Sequence, residues 1–151
     1  MINYEVNQDT VAIIGINDNS SKIIEAKGEY IIEDNCYSVM DYSCQYFGSS
    51  YLGRLNGSKN MLDAKYKLPI IVEESSDLIF FPTSSPESNK CIWINLDWYK
   101  DVYEEDGKTF ILLKNGEKIE CSTSKYSIKN QMMRAARLNF ILDSRKLEKN
   151  K

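Results

Sequence analysis

An α+β fold dominated by β-structure is what this sequence predicts: an antiparallel sheet or partly closed barrel, a glycine-rich irregular or short-helical insertion, and one long C-terminal helix. Three observations point there. Much of the chain divides into short runs of β-branched and aromatic residues, separated by turn-forming residues. Asn115-Gly116 stands between two such runs, and Asn-Gly is the strongest short-range hairpin signal. Beyond residue 124 the apolar residues recur at the spacing of an amphipathic helix.

The elements follow in order. Residues 11–16 (VAIIGI), 21–25 (SKIIE) and 28–33 (GEYIIE) read as strands, punctuated by NDNS and glycine. Residues 41–66 change character: three of the seven glycines, several serines and aromatics, and no clean period. That segment reads as short helical turns and loops, with one helix over 53–63. Strand signals return at 68–74 (LPIIVEE) and 78–82 (LIFFP), followed by a loop through 81–90 rich in Pro, Ser and Asn. Residues 91–95, 99–103, 108–114 and 117–122 complete the strands, and Trp93 and Phe81 read as core. Trp98 and Tyr99 break the alternation, which points to one of them lying at an interface. Thr123 or Ser124 caps the final helix. Its core sector holds Ile128, Met132, Ala135, Ala136, Leu138 and Leu142, with Arg134, Arg137 and Arg145 on an adjacent sector. Met133 and Phe140 fall outside that core sector and suggest a second contact. With 151 residues, the chain is expected to form one domain over 1–143, with a frayed basic tail over 144–151.

Composition excludes several classes. There is no histidine, so no Ser-His-Asp or Cys-His nucleophile and no His-ligated zinc is available. Cys36, Cys44, Cys91 and Cys121 form no C-x-x-C pair, so they read as free thiols rather than metal ligands or a redox dithiol. No cofactor is implied, and nothing calls for an enzyme. Glu104-Glu105-Asp106 before Gly107 reads as a solvated turn. No apolar run approaches the ~20 residues of a membrane span, and the opening lacks a secretion signal. The chain reads as soluble and cytoplasmic, with no membrane partner.

The net charge of −3 conceals an asymmetry. Residues 1–40 carry 2 bases against 7 acids, and residues 71–110 carry 3 against 9. Residues 41–70 carry 4 against 2 and residues 111–151 carry 10 against 4, and these two segments hold all four arginines. One basic face on an acidic remainder produces such a distribution, and so does an ordinary lysine-rich helix.

Ser43-Cys44, Phe47-Gly48-Ser49-Ser50-Tyr51, Gly53-Arg54 and Gly57-Ser58 together resemble the signature of the competence transcription factor family, ComK. Further blocks follow in the family's order: Lys67 to Val72, Phe80 to Ser84, Cys91 to Ile94, Asn115-Gly116, and Asn130-Gln131 with Arg134-Ala135. The blocks span about residues 41–140. The resemblance implies a DNA-binding transcription activator that reads paired A-rich and T-rich tracts, largely through the minor groove, as associated dimers. The expected partners are double-stranded DNA, a second copy (a homodimer or dimer of dimers) and other transcription regulators. The longer members carry a further C-terminal tail that serves activation and adaptor binding, which this chain is expected to lack. A second reading is therefore a protein-interaction module or modulator on a ComK-like scaffold. Residues 91–126 are also similar to the end of the LytTR-type DNA-binding domain, again a β-rich DNA reader. Asp41-x-Ser43 is similar to part of the PilZ motif, but that motif needs upstream arginines and none precedes Arg54.

The candidate DNA contacts are Ser49, Ser50, Tyr51, Arg54, Lys59, Lys65, Lys67, Lys125, Arg134 and Arg137. Arg54, on a loop beside Gly53 and Gly57, has two readings. It enters a narrow A-tract minor groove, whose negative potential attracts guanidinium, or it braces the loop through carbonyls, Asp41 or Asp63. Ser49, Ser50 and Tyr51 offer hydroxyls to phosphate, with loop bracing the alternative for Ser49. The lysines supply sequence-independent phosphate charge. Arg134 and Arg137 contact phosphate, or they pair with the acidic strand face of 97–106.

Overall fold

The computed structural model describes residues 4–149. The strands are β1 (Thr10–Asn17), β2 (Ser20–Glu25), β3 (Gly28–Ile32), β4 (Ile70–Glu73), β5 (Leu78–Pro82), β6 (Ile92–Asn95), β7 (Tyr99–Glu105), β8 (Lys108–Leu113) and β9 (Lys118–Cys121). The helices are α1 (Cys36–Tyr46), α2 (Tyr51–Leu62) and α3 (Lys125–Lys149). Of the two expected architectures, the open sheet is the one formed. Six strands lie in the order β3-β2-β1-β6-β5-β4, and three more in the order β7-β8-β9. All pairings are antiparallel. The large sheet is two three-stranded meanders joined where β1 meets β6, with Ile13 opposite Trp93.

Period-2 alternation decides the layering. Val11, Ile24, Ile79, Phe81, Ile92 and Ile94 point to one face, where they meet Val102, Ile111 and Leu113 of the small sheet and Ile128, Ala135, Leu138 and Leu142 of α3. Ile13, Ile23, Phe80 and Trp93 point to the other face, against Val39, Met40 and Cys44 of α1 and Tyr51 of α2. Both faces of the central strands are covered, which is why they read as nearly continuous apolar runs. The close packing leaves no room at Gly15, where a Cβ would stand 2.2 Å from the Asn89 carbonyl oxygen.

Three expectations are corrected. The segment read as short helical turns and loops, with one helix over 53–63, holds two regular helices: α2 takes in the expected helix, and α1, which was not expected, begins at Cys36. Asn35 caps α1 by accepting the Ser38 N–H at 2.8 Å. The inward positions are Cys36, Val39, Met40, Ser43 and Cys44, so small polar and thiol side chains occupy the apolar stripe. Gly48, at φ 91°, closes the helix in a Schellman motif, with Ser49 N–H donating to the Cys44 carbonyl and Gly48 N–H to that of Gln45. Ser50 then caps α2 by accepting the Gly53 N–H at 2.9 Å. Second, Ala136 is exposed rather than part of the α3 core. Third, α3 continues to Lys149, through most of the segment expected to fray; residues 150 and 151 lie outside the described residues. Lys146 is tied to the Asp77 carboxylate at 2.6 Å and to the Glu74 carbonyl, which fixes that last stretch against the β4–β5 turn. Ser124 rather than Thr123 caps α3, accepting the Ser127 N–H at 3.2 Å. Trp98 and Tyr99 are both half-buried against the core.

Candidate nucleic-acid interface

The chain leaving α2 crosses to β4 through residues 63–69, with Asp63 and Lys67 both in left-handed conformation. Three side chains pin this loop. The buried Ser58 hydroxyl donates to the Pro69 carbonyl at 2.6 Å. Gln131, buried on α3, donates from Nε2 to the Lys67 carbonyl at 2.5 Å and to the Pro82 carbonyl at 2.9 Å. One turn along, Arg134 donates to the Tyr66 carbonyl at 2.8 Å. These bonds hold the exposed Lys65, Tyr66 and Lys67 beside the half-buried Arg134, with the exposed Arg137 one turn further on. Lys59 lies in the last turn of α2, and Lys125 opens α3.

None of the bases of this cluster is held in an ion pair with another described residue. Among the described residues the ion pairs are Lys22–Glu29, Arg54–Glu74, Lys108–Glu120 and Lys146–Asp77, none of which uses a base of the cluster. Arg134 and Arg137 do not pair with the acidic segment 97–106. Asn130, Met133, Arg134, Arg137 and Phe140 line an open groove of about 560 Å³ on this side of α3. Charged donors that project to solvent around a polar, aromatic-containing loop suit a polyanion.

The remaining candidates stand elsewhere, at the α1–α2 junction, and their surroundings differ from the sequence reading. Arg54 lies on a helix rather than a loop. Its Nη1 donates to the Glu74 carboxylate at 2.8 Å, and its side chain is 18% exposed. It braces the fold, through Glu74 of the segment after β4 rather than Asp41 or Asp63. Ser50 spends its hydroxyl on the α2 cap. Tyr51 is 4% exposed, its ring 4.8 Å from that of Tyr37 and 6.0 Å from that of Trp93, so it is a core residue. Burial raises the pKa of its hydroxyl. Ser49 is half-buried where the Schellman motif meets the α2 cap. Sequence reading passed over Gln131 as a strut and Tyr66 as an exposed aromatic between two lysines. The Lys-Tyr-Lys triplet was the available signal for the second.

Among the described residues no group of three or more His, Cys, Asp or Glu is arranged to hold a metal ion. Cys36, Cys44 and Cys91 are buried free thiols, and Cys121 is half-buried. Burial pushes Cys44 up to about 12 and Cys91 up to about 11, so both are protonated and unreactive. No helix among the described residues is long and apolar enough to cross a membrane.

No solved structure matches the chain significantly. A curated relative, the "Competence transcription factor" of Bacillus subtilis (strain 168), is 34% identical over 137 residues, covering 88% of this chain and 71% of that protein. The model of the ComK protein family matches residues 1–147. The chain belongs to the ComK family.

Proposed function

We propose that this protein is a transcription regulator of competence that works in the cytoplasm by binding double-stranded DNA, without enzymatic activity, as a homodimer or dimer of dimers. The observation that carries the reading is the group of unpaired bases that Gln131 and Arg134 hold together across loop 63–69 and α3. Lys59, Lys65, Lys67, Lys125, Arg134 and Arg137 neutralise phosphates on this surface. The preference is for paired A-rich and T-rich tracts, as the family resemblance implies. The 63–69 loop, with Lys65, Tyr66 and Lys67 exposed, is the element suited to enter a minor groove. Arg54 supports the scaffold in this reading, because Glu74 already neutralises it.

Fluorescence anisotropy with labelled duplexes tests the proposal. An A/T-tract duplex should bind more tightly than a G·C-rich duplex of equal length, and both should weaken steeply with salt. No binding to either duplex at low salt, or equal affinity for both, would refute it.

A further inference from the structure

The solvent face of α3 carries an apolar stripe among its polar residues, which an amphipathic helix turned only to water does not need. Tyr126, Met133, Phe140 and Leu147 are 77, 62, 72 and 67% exposed. They recur every seven residues, so they form one slowly winding stripe about 31 Å long. The stripe lies on the side opposite the buried Ile128, Ala135, Leu138 and Leu142, so the packing of α3 onto the sheets leaves it open. A seven-residue apolar repeat is the pattern by which one helix packs against another with its knobs in the partner's holes.

We propose that this stripe is the self-association surface of the protein, and that two copies pair through it with their α3 helices antiparallel. Charge decides both the occupant and the direction. Ala136, small and exposed, sits midway along the stripe. Lys129 lies seven residues before it and Asp143 seven after, both on the stripe's flank and both exposed. In an antiparallel pair crossing at Ala136, Lys129 of each copy meets Asp143 of the other, giving two symmetric opposite-charge contacts. A parallel pair sets lysine against lysine and aspartate against aspartate. The four side chains of two copies offer roughly 1,200 Å² of surface to bury, which reaches the lower range of stable interfaces.

The same dyad sets the Arg137 flanks of both helices on one side of the pair. The proposal names the surface for the self-association proposed above and does not rest on DNA binding.

Sedimentation of the full chain across a concentration series tests it, with melting temperature measured beside it. The wild type should dimerise, and Phe140→Asp and Met133→Asp should each raise the dimer dissociation constant at least about tenfold while remaining folded. Lys129→Asp and Asp143→Lys should each weaken the dimer, and the double exchange should restore it. A wild type that stays monomeric overturns the proposal. A folded Phe140→Asp that dimerises as the wild type does overturns the α3 surface, and charge exchange without restoration overturns the antiparallel direction. DNA affinity is read on Leu147→Asp, which interrupts the stripe outside the groove lined by Met133 and Phe140: a Leu147→Asp monomer that still prefers A/T-tract DNA leaves the DNA reading intact.

Discussion

Replacing Gln131 with leucine isolates the contact that ties loop 63–69 to α3. Leucine keeps most of the apolar bulk but removes the Nε2 donor, so the Lys67 and Pro82 carbonyls each lose a partner. A net hydrogen bond contributes about 1 kcal/mol, and a buried acceptor left unpaired costs about 1–3 kcal/mol. Solvent reaches the Lys67 carbonyl more easily than that of Pro82, which lies at the buried end of β5. The variant should therefore lose about 2–3 kcal/mol, a fall of roughly 5–10 °C in melting temperature for a domain of this size. Differential scanning calorimetry measures this directly, with the exposed neighbour Asn130→Ala as the control that should not move. DNA affinity, read at a temperature where both proteins are folded, should fall as well, because Lys65 and Lys67 lose their position beside Arg134. A variant that melts within about 1 °C of the wild type would refute the strut and, with it, the assembled surface.

Gly15→Ala places a Cβ against the Asn89 carbonyl and should destabilise the protein by about 3 kcal/mol, seen as a lower denaturation midpoint; an unchanged midpoint would contradict the packing. Under native conditions Cys121 should react first with a thiol reagent, and Cys36, Cys44 and Cys91 only on unfolding; equal rates at all four would contradict their burial. Because burial raises the folded-state pKa of Cys44 and Cys91, the stability these two thiols contribute is full below the unfolded value of about 8.5 and is lost as pH rises towards about 11–12. Glu73 behaves in the opposite sense. Hydrogen bonds from Ser75 and Ser76 hold its carboxyl down to about 2, so its contribution is present above the ordinary carboxylate range and disappears as pH falls through about 2. Glu73→Gln should cost about 1 kcal/mol at neutral pH, after allowance for solvent screening, and flatten the acid limb of a stability–pH curve.

What was legible in the sequence was local. β-branched runs marked the strands, Asn115-Gly116 marked a turn, and the spacing from Ile128 to Leu142 marked α3. The helix α1 was hidden because Cys36, Ser43 and Cys44 fill inward positions that a hydrophobic pattern would count as polar. α2 was legible only as the helix expected over 53–63, and its first turn was missed because the helix buries only Tyr51 and Ser58 and carries two glycines. The glycines on either side also made Arg54 read as a loop residue, although it lies within α2. The basic segments were legible as charge, but their convergence was not. It depends on Gln131 and Arg134 reaching residues 64 and 68 positions away, and no local pattern encodes that. Glu74, which neutralises Arg54 from 20 positions away, was equally invisible.

The central claim is that loop 63–69 and α3 together carry DNA. The salt dependence of binding to one A/T-tract duplex tests it most directly, compared among the wild type, a Lys65→Ala/Lys67→Ala/Arg137→Ala variant and Arg54→Ala. Each phosphate contact contributes about −0.9 to the slope of log affinity against log salt. The triple variant should therefore lose a slope of about 3 while melting like the wild type, and Arg54→Ala should keep the wild-type slope even though it loses stability. A triple variant with the wild-type slope, or a slope lost only in Arg54→Ala, would contradict the account.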